Sequence, residues 1–511
     1  KNICAKTTSK LLWHRSTLCP SIESTRLIRS HGMARMASVS VPGNVSDETI
    51  PPGKCEKMPF GGVNIDNVDV QACGLDGVEI SGQESGSRPG RVVSWSKMVL
   101  PAIVFSQFAG TTLWFMPNAI LSQLDFGENA LSLLTTLVQA GFIVGTFLFT
   151  MLTISDRFSP PLVFLVMCMM GAMFNLLCIT TNSLVLWSFL RALVGVCLAG
   201  VYPVGMKIAA GYYTNGLGAR LGILVGALTL GTAFPWFLQG LHTNMRYQQT
   251  LIGVSCLAVF GGVFMPVVML PPGRKLQTLK RFWKPMHVHS NEHRYWNAFR
   301  AIWSNQQFRA SVVGYWGHNW ELYTFWTYVP LLVQGNEVAQ GWAVLNNALT
   351  TFLAIAIGFF SCTLGGLLSL KVGQDNIPGS AVVALVSLVS SFVCCLLAPL
   401  YKQMHPVVFF IYILFWGAVV ISDSPQFSAL CAKFAPVELV GSALMFSTCI
   451  GYIVTIICIQ LVGVAIRSGI DPGLSMLCIV APGPFIGIFR VYWQWPLHKA
   501  FLTRKRFVNS V

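Results

Sequence analysis

A chain of 511 residues in which 54% are hydrophobic and only 10% are charged cannot build a water-facing surface, because soluble domains carry about 25% charged residues. With a mean hydropathy of +0.61, this composition excludes a soluble enzyme, a fibrous protein and a fully disordered chain. The net charge of +15 does not mark a nucleic-acid binder, because the basic residues flank apolar runs, where positive charge reports membrane orientation.

Residues 1–97 form a polar tail with 12 Lys/Arg and 9 Asp/Glu. From Ser40 to Arg91 the tail is rich in Gly, Pro, Ser, Asp and Glu with no sustained apolar period, which predicts disorder. The first thirty residues set Lys1, Lys6, Lys10, Arg15, Arg26 and Arg29 against one acid, Glu23. That balance is transit-peptide-like, with Met33 and Met36 as alternative starts. The fifteen cysteines are scattered apart from the pair Cys394–Cys395, and no metal-ligand spacing appears. They are expected to be small buried side chains.

From Met98 onward, apolar runs of about 20 residues recur, the length a helix needs to cross about 30 Å of hydrocarbon. Twelve are expected, at roughly 98–122, 130–152, 161–180, 184–207, 221–241, 249–270, 310–333, 342–366, 379–400, 406–429, 440–463 and 474–490. Backbone groups in lipid must bond within their own segment, so these are helices. Barrel strands would be half as long and would alternate in polarity. The even-numbered connections carry Arg157, Arg220, a cluster (Arg274, Lys275, Lys280, Arg281, Lys284, Arg294, Arg300 and Arg309), Lys371 and Lys433. The odd-numbered ones carry only Arg246, Lys402 and Arg467. Both termini are therefore expected in the cytoplasm.

The expected organisation is a cytoplasmic tail (1–97), a six-helix bundle (98–270), a basic cytoplasmic connection (271–309), a second six-helix bundle (310–490) and a basic tail (491–511). The bundles look like weak copies. Setting Arg157 on Lys371 fixes an offset that also sets Gln107 on Glu321, and each of the latter is followed by a Trp and a Pro: Trp114 and Pro117, Trp326 and Pro330. The fold class expected is an all-α membrane protein with twelve transmembrane helices in two pseudo-repeated six-helix bundles, an arrangement of secondary transporters.

Residues 98–495 resemble the major facilitator superfamily. Its loop signature follows the second and eighth helices. The first copy here keeps Asp156 and Arg157, and the second keeps Gly366, Lys371 and Gly373. The Arg-x-x-x-Gly pattern of the family's fourth helix is matched by Arg191 and Gly195. The strings Ala199–Lys207, Gly317–Tyr323 and Ser422–Ser428 resemble a bacterial-type branch loosely described as nitrate/nitrite-like. Nitrate porters proper place an arginine in the second and eighth helices, and neither span carries one here. The resemblance implies that the first, fourth, seventh and tenth helices line a central cavity.

Charge inside a bilayer is costly and usually functional. Away from the helix ends the spans carry Arg191, Glu321 and Asp423, with Lys207 nearer the cytoplasmic end of its helix. All four fall on the fourth, seventh and tenth spans. Glu321 lies near mid-membrane and His318 precedes it by one helical turn, so the two are candidates for a proton-coupling pair. The alternatives for Glu321 are a neutral bond to a neighbouring helix or contact with substrate. Arg191 either holds an anionic substrate or locks the first and fourth helices together. Lys207 and Asp423 sit at similar depths and are candidates for an inner gate, the alternative being that each reaches water separately. Gln107, Arg191, Tyr202, Tyr323 and Trp326 are the candidate cavity residues, with Asn118, Gln139, Tyr315, Trp320 and Asn347 as further polar and aromatic positions.

The function expected is secondary active transport of a small polar or anionic solute by alternating access, coupled to protons. The fifth helix separates its glycines (Gly226, Gly231) from Pro235, unlike the Gly-Pro pair of proton antiporters in the resembled family, which favours uptake over export. A non-transporting sensor on the same fold is the alternative from another class. No nucleophile grouping or phosphate loop supports an enzyme. No cofactor or metal is implied. The expected partners are a small-molecule substrate and the lipid bilayer, with no nucleic acid and no obligate protein partner.

Overall fold

The computed structural model describes residues 90–152, 154–212, 217–241, 245–269, 303–336, 346–373, 377–435 and 440–496. The tail to residue 89, the basic cluster from Arg274 to Arg300, the C-terminal residues Lys499, Arg504, Lys505 and Arg506, and the side chain of Asp156 lie outside the described residues.

Apolar segments become helices throughout. In chain order they are α1 (Gly90–Thr111), α2 (Met116–Ile120), α3 (Ala130–Met151), α4 (Ile154–Arg157), α5 (Pro160–Leu177), α6 (Leu184–Leu198), α7 (Tyr202–Tyr212), α8 (Leu217–Leu241) and α9 (Tyr247–Met269). They continue with α10 (Gln306–Gly335), α11 (Asn347–Ala356), α12 (Gly358–Ser369), α13 (Gly379–Leu397), α14 (Pro406–Ser422), α15 (Ser424–Phe434), α16 (Val440–Arg467), α17 (Pro472–Ser475) and α18 (Pro482–Gln494). Two expected boundaries move. α1 begins at Gly90, inside the stretch expected to be disordered, and α10 begins at Gln306, inside the expected connection. Once a helix is nucleated in lipid, adding a polar turn outside it is cheap, so apolarity marks the membrane and not the helix end.

Ten of the described helices are long and apolar enough to cross a membrane, or eleven if the bent pair Met98–Thr111 and Met116–Gln123 is one span. The expectation was twelve. α10 has the length, at 30 residues, but Gln306, Gln307, Arg309, His318, Asn319, Glu321 and Gln334 make it less apolar than the others. Its surroundings explain how it is tolerated. From Phe308 to Val333 its residues are almost all buried, enclosed by α11, α14, α15, α16 and α18. Lipid is met instead by the outer faces of other helices, where Phe147, Phe189, Phe360, Ile411 and Phe489 are exposed.

Several expected spans are broken, and each break has a local cause. The first bends by 55° between Thr111 and Met116, with Pro117 near the start of α2. The tenth is interrupted for the one residue Asp423, whose backbone keeps near-helical angles (φ −84°, ψ −19°), with Pro425 in the first turn of α15. Proline has no N–H and fits a helix's first turn without losing a bond, although Pro101, Pro235, Pro266 and Pro330 lie inside α1, α8, α9 and α10. The last span contains a π-helical turn, Met476–Val480, and the indole N–H of Trp320 donates to the Ile479 carbonyl within it at 2.8 Å.

Close helix contacts depend on missing side chains. A Cβ on Gly141 would run into the Ala192 carbonyl, and one on Gly195 into the Val138 carbonyl, so α3 and α6 meet backbone to backbone. Across the two halves, Gly222 and Gly226 of α8 press on the backbone of Cys362 and Phe359 in α12. One end of the bundle is also tied across the halves by polar side chains. Gln460 donates to the Ser132 carbonyl at 3.1 Å and to Thr136 Oγ1 at 2.7 Å. Arg467 donates to Ser132 Oγ at 3.4 Å, and Asn346 to the Gly240 carbonyl at 2.8 Å.

Beyond the spans at that same end, Asp471 caps α17, accepting from the backbone N–H of Gly473 at 2.8 Å and of Leu474 at 3.3 Å. Its other oxygen pairs with Lys402 at 2.8 Å. Partial burial pushes this carboxyl up, but the Lys402 contact and the two backbone N–H groups outweigh it and hold the group below its ordinary range.

Candidate transport site

α10 carries most of the chemistry. Asn305 caps it, accepting from the N–H of Gln307 at 2.9 Å and donating to the Phe434 carbonyl at 3.0 Å. His318, Glu321, Tyr323 and Trp326 then follow in the buried middle of the helix. His318 and Glu321 are three residues apart, which leaves them about 60° apart around the helix. The structure uses that angle to part them. His318 meets Asp423, with Nδ1 and Oδ1 2.7 Å apart and the two side chains 1% and 2% exposed. The ring N–H is not aligned on the carboxylate, and both imidazole nitrogens are without a hydrogen-bond partner. This is therefore a close contact of the two groups and not a formed hydrogen bond. Glu321 turns toward α13 and α14. Its Oε1 accepts from the Trp416 indole at 2.8 Å, from Cys395 at 3.4 Å and from the Ser391 hydroxyl. Trp416 is itself fixed against Phe325, with ring centroids 4.8 Å apart.

The expected pairing of His318 with Glu321 is thus replaced by two separate sites one turn apart. The expected gate shares one of these residues. Asp423 faces His318, while Lys207 is half-buried on α7, whose neighbours are α1, α5 and α8. Sequence spacing placed Lys207 and Asp423 at similar depth but could not say which neighbour each faces.

Arg191 is fully buried. It donates to the carbonyls of Leu113 at 2.8 Å and Trp114 at 2.6 Å, and to Asn175 Oδ1 at 3.3 Å. The bend after α1 leaves those carbonyls without a partner in the helix, and the guanidinium supplies one. Asn175 passes the link on, donating to Ser255 Oγ at 3.0 Å. Of the two readings made from the sequence, this geometry matches the lock between the first and fourth spans, extended to α5 and α9.

The bend has a consequence at the centre. Trp114 and Phe115 lie against residues of the other half. Trp114 stacks on Tyr323 and Tyr452 at 6.1 and 5.9 Å, and Phe115 stacks on Tyr323 at 6.3 Å and meets Trp326 edge-on at 5.8 Å. Phe142 completes the layer, 4.9 Å from Trp114 and 4.7 Å from Tyr452. The Tyr323 and Tyr452 hydroxyls are hydrogen-bonded. Tyr202 is buried too. Gln107 is wholly buried with both amide atoms unpartnered, and Gly205 of α7 lies against it. In the loop motif, Arg157, Lys371 and Gly373 are exposed and Gly366 is buried, beside Gly222 of α8.

Ser391, Cys395 and Trp416 around Glu321, Asn175 beside Arg191, and Phe142 and Tyr452 in the central layer were missed from the sequence. Each is a common residue of an apolar span, and only its neighbour gives it a role. Among the described residues, no group of three His, Cys, Asp or Glu is placed to hold a metal ion.

The family model described as Major Facilitator Superfamily matches residues 99–458. A crystal structure of the nucleoside transporter NupG, in a point-mutant form, is similar in fold with a TM-score of 0.58 and 13% sequence identity. The match covers 78% of this chain and 100% of that one. No curated protein matches the chain.

Proposed function

The chain belongs to the major facilitator superfamily, a family of secondary transporters and not of enzymes, and from that premise we propose that it moves a small polar solute by alternating access, in symport with protons. The observation that carries the coupling is the buried contact between His318 and Asp423. An imidazole and a carboxyl that share a dry site can exchange a proton, and Asp423 stands where α14 gives way to α15. Glu321, one turn further along α10, is the second acid of the same polar belt.

The topology goes with this reading. Ten apolar helices, the bent first span and the enclosed α10 make twelve spans, with both termini in the cytoplasm and six spans on each side of the connection. The polar ties of Gln460, Arg467 and Asn346 then lie at the outer end, and the halves part there to admit solute. Uptake is the proposed direction.

The test uses the full chain in proteoliposomes with an imposed proton gradient, offered uracil, glucose, alanine, nitrate and choline in turn. Expected is accumulation of one class of solute that collapses with a protonophore. In Asp423→Asn, accumulation is lost while solute exchange at equal pH persists. Accumulation insensitive to the protonophore, or unchanged in Asp423→Asn, overturns the coupling. No movement of any solute overturns the transport reading.

A further inference from the structure

The charges within the spans are already engaged. Both terminal nitrogens of Arg191 serve buried oxygens, Glu321 accepts from three donors, and Asp423 faces His318. The surface where the two halves meet is instead aromatic and amide. Five polar atoms in and beside the aromatic layer are buried without a hydrogen-bond partner: the indole nitrogens of Trp114 and Trp326, both amide atoms of Gln139, and the amide nitrogen of Asn118. All four side chains are at most 6% exposed. Buried polar groups are nearly always bonded, so a convergent set of exceptions asks for a role.

Their placement is specific. Asn118 lies 3.1 Å from the Thr135 hydroxyl, whose single proton is shared with the Leu131 carbonyl at 2.8 Å. Gln139 lies one turn beyond Thr135 on α3 and one turn before Phe142, hence on the same face. Gln139 therefore offers a donor and an acceptor side by side on the helix face that carries Phe142 of the ring layer. The rings of the two halves face each other nearly flat, with interplanar angles of 26° for Trp114 and Tyr323, 21° for Trp114 and Tyr452, and 13° for Phe115 and Tyr323. A flat ring needs about 3.5–4 Å of clearance on each side. The halves need part only slightly to take one between them, whereas a puckered ring demands more.

We propose that this layer recognises an uncharged, planar heterocycle whose edge carries adjacent hydrogen-bond donor and acceptor atoms, as in a lactam. Such a ring replaces the stacking between the halves with stacking on itself, which is tolerant of ring identity, and its edge pairs with the Gln139 amide. This deepens the transporter reading and rests on it.

The test is a thermal-shift and tryptophan-fluorescence titration of the purified full chain. The planar probes are uracil, cytosine, hypoxanthine and nicotinamide, and the contrasts are glucose, nitrate and choline. Expected is stabilisation, with fluorescence change, by at least one planar probe and by none of the contrasts. Gln139→Leu, which keeps the shape and removes the amide, weakens that probe at least tenfold, and Tyr452→Phe weakens it less. If no planar probe shifts the protein, the inference falls. If glucose, nitrate or choline binds here and is accumulated, transport stands and this inference falls alone. If Gln139→Leu and Trp114→Leu alter which end of the bundle is open to labelling but leave the planar probe's affinity unchanged, the layer is only a gate and the inference is overturned.

Discussion

The half before the central connection and the half after it use their buried polar residues differently. In the first, Arg191 holds backbone carbonyls of a bent helix, and Gln107, at the position that aligns with Glu321, is neutral. In the second, His318, Glu321 and Asp423 are acids and a base, all 1–2% exposed. The first half uses its one buried guanidinium to shape a helix; the second concentrates groups that can gain or lose a proton. A buried guanidinium effectively always carries its charge, so it suits a fixed brace, while imidazole and carboxyl suit a site that changes state.

The sharpest way to break this comparison is to neutralise one acid at a time. Asp423→Asn is expected to reduce proton-driven accumulation to background while exchange persists. Glu321→Gln keeps an acceptor for Trp416 and Ser391 and is expected to lower accumulation only partly. If Glu321→Gln behaves as Asp423→Asn should, the coupling proton belongs to the Glu321 site. Because Asp423 meets His318, the double variant Lys207→Asp with Asp423→Lys is expected to restore nothing; recovered transport would support a gate between those two charges.

On the other side of the comparison, Arg191→Met leaves two backbone carbonyls and Asn175 Oδ1 without this donor. At about 1–3 kcal/mol per buried unsatisfied group, a loss of roughly 3 kcal/mol is expected, read as a lower melting temperature in detergent. The molecules that remain folded should keep the wild-type pH dependence of transport. A changed pH profile with unchanged stability would put Arg191 in the proton path.

A smaller effect is expected between the halves. Gln460→Ala removes two hydrogen bonds to α3, worth about 1 kcal/mol each at most, and should raise labelling of a cysteine placed at Ser132 without altering coupling. Unchanged labelling would show that the glycine-lined contact of α8 and α12 alone holds the halves.

The smallest effect concerns Asp471. Its carboxyl is held below the ordinary range, so the stability it adds is present above about pH 4, the unfolded value, and is lost as pH falls through the lower folded value. Asp471→Asn keeps an acceptable cap and removes the pairing with Lys402, so melting temperatures of variant and wild type should differ slightly at pH 7 and converge in acid. A gap that widens in acid would contradict the assignment.

Much of this was fixed by composition and spacing. Segment length, scarcity of charge and the backbone's need for internal bonds determine a helical membrane protein whatever its contacts. The same scarcity singles out Arg191, Glu321 and Asp423, because each costs too much in lipid to be incidental. Tertiary structure decided the partners. His318 and Glu321 share a helix turn, but about 60° of rotation sends them to different neighbours, and the bend before α2 creates the carbonyls that claim Arg191. α10 is far more polar than the other spans, and that polarity is sheltered by the helices packed around it. Sequence periodicity reports which face a residue is on; which group stands opposite depends on helix packing, and here that choice gives Arg191 backbone carbonyls and His318 a carboxyl.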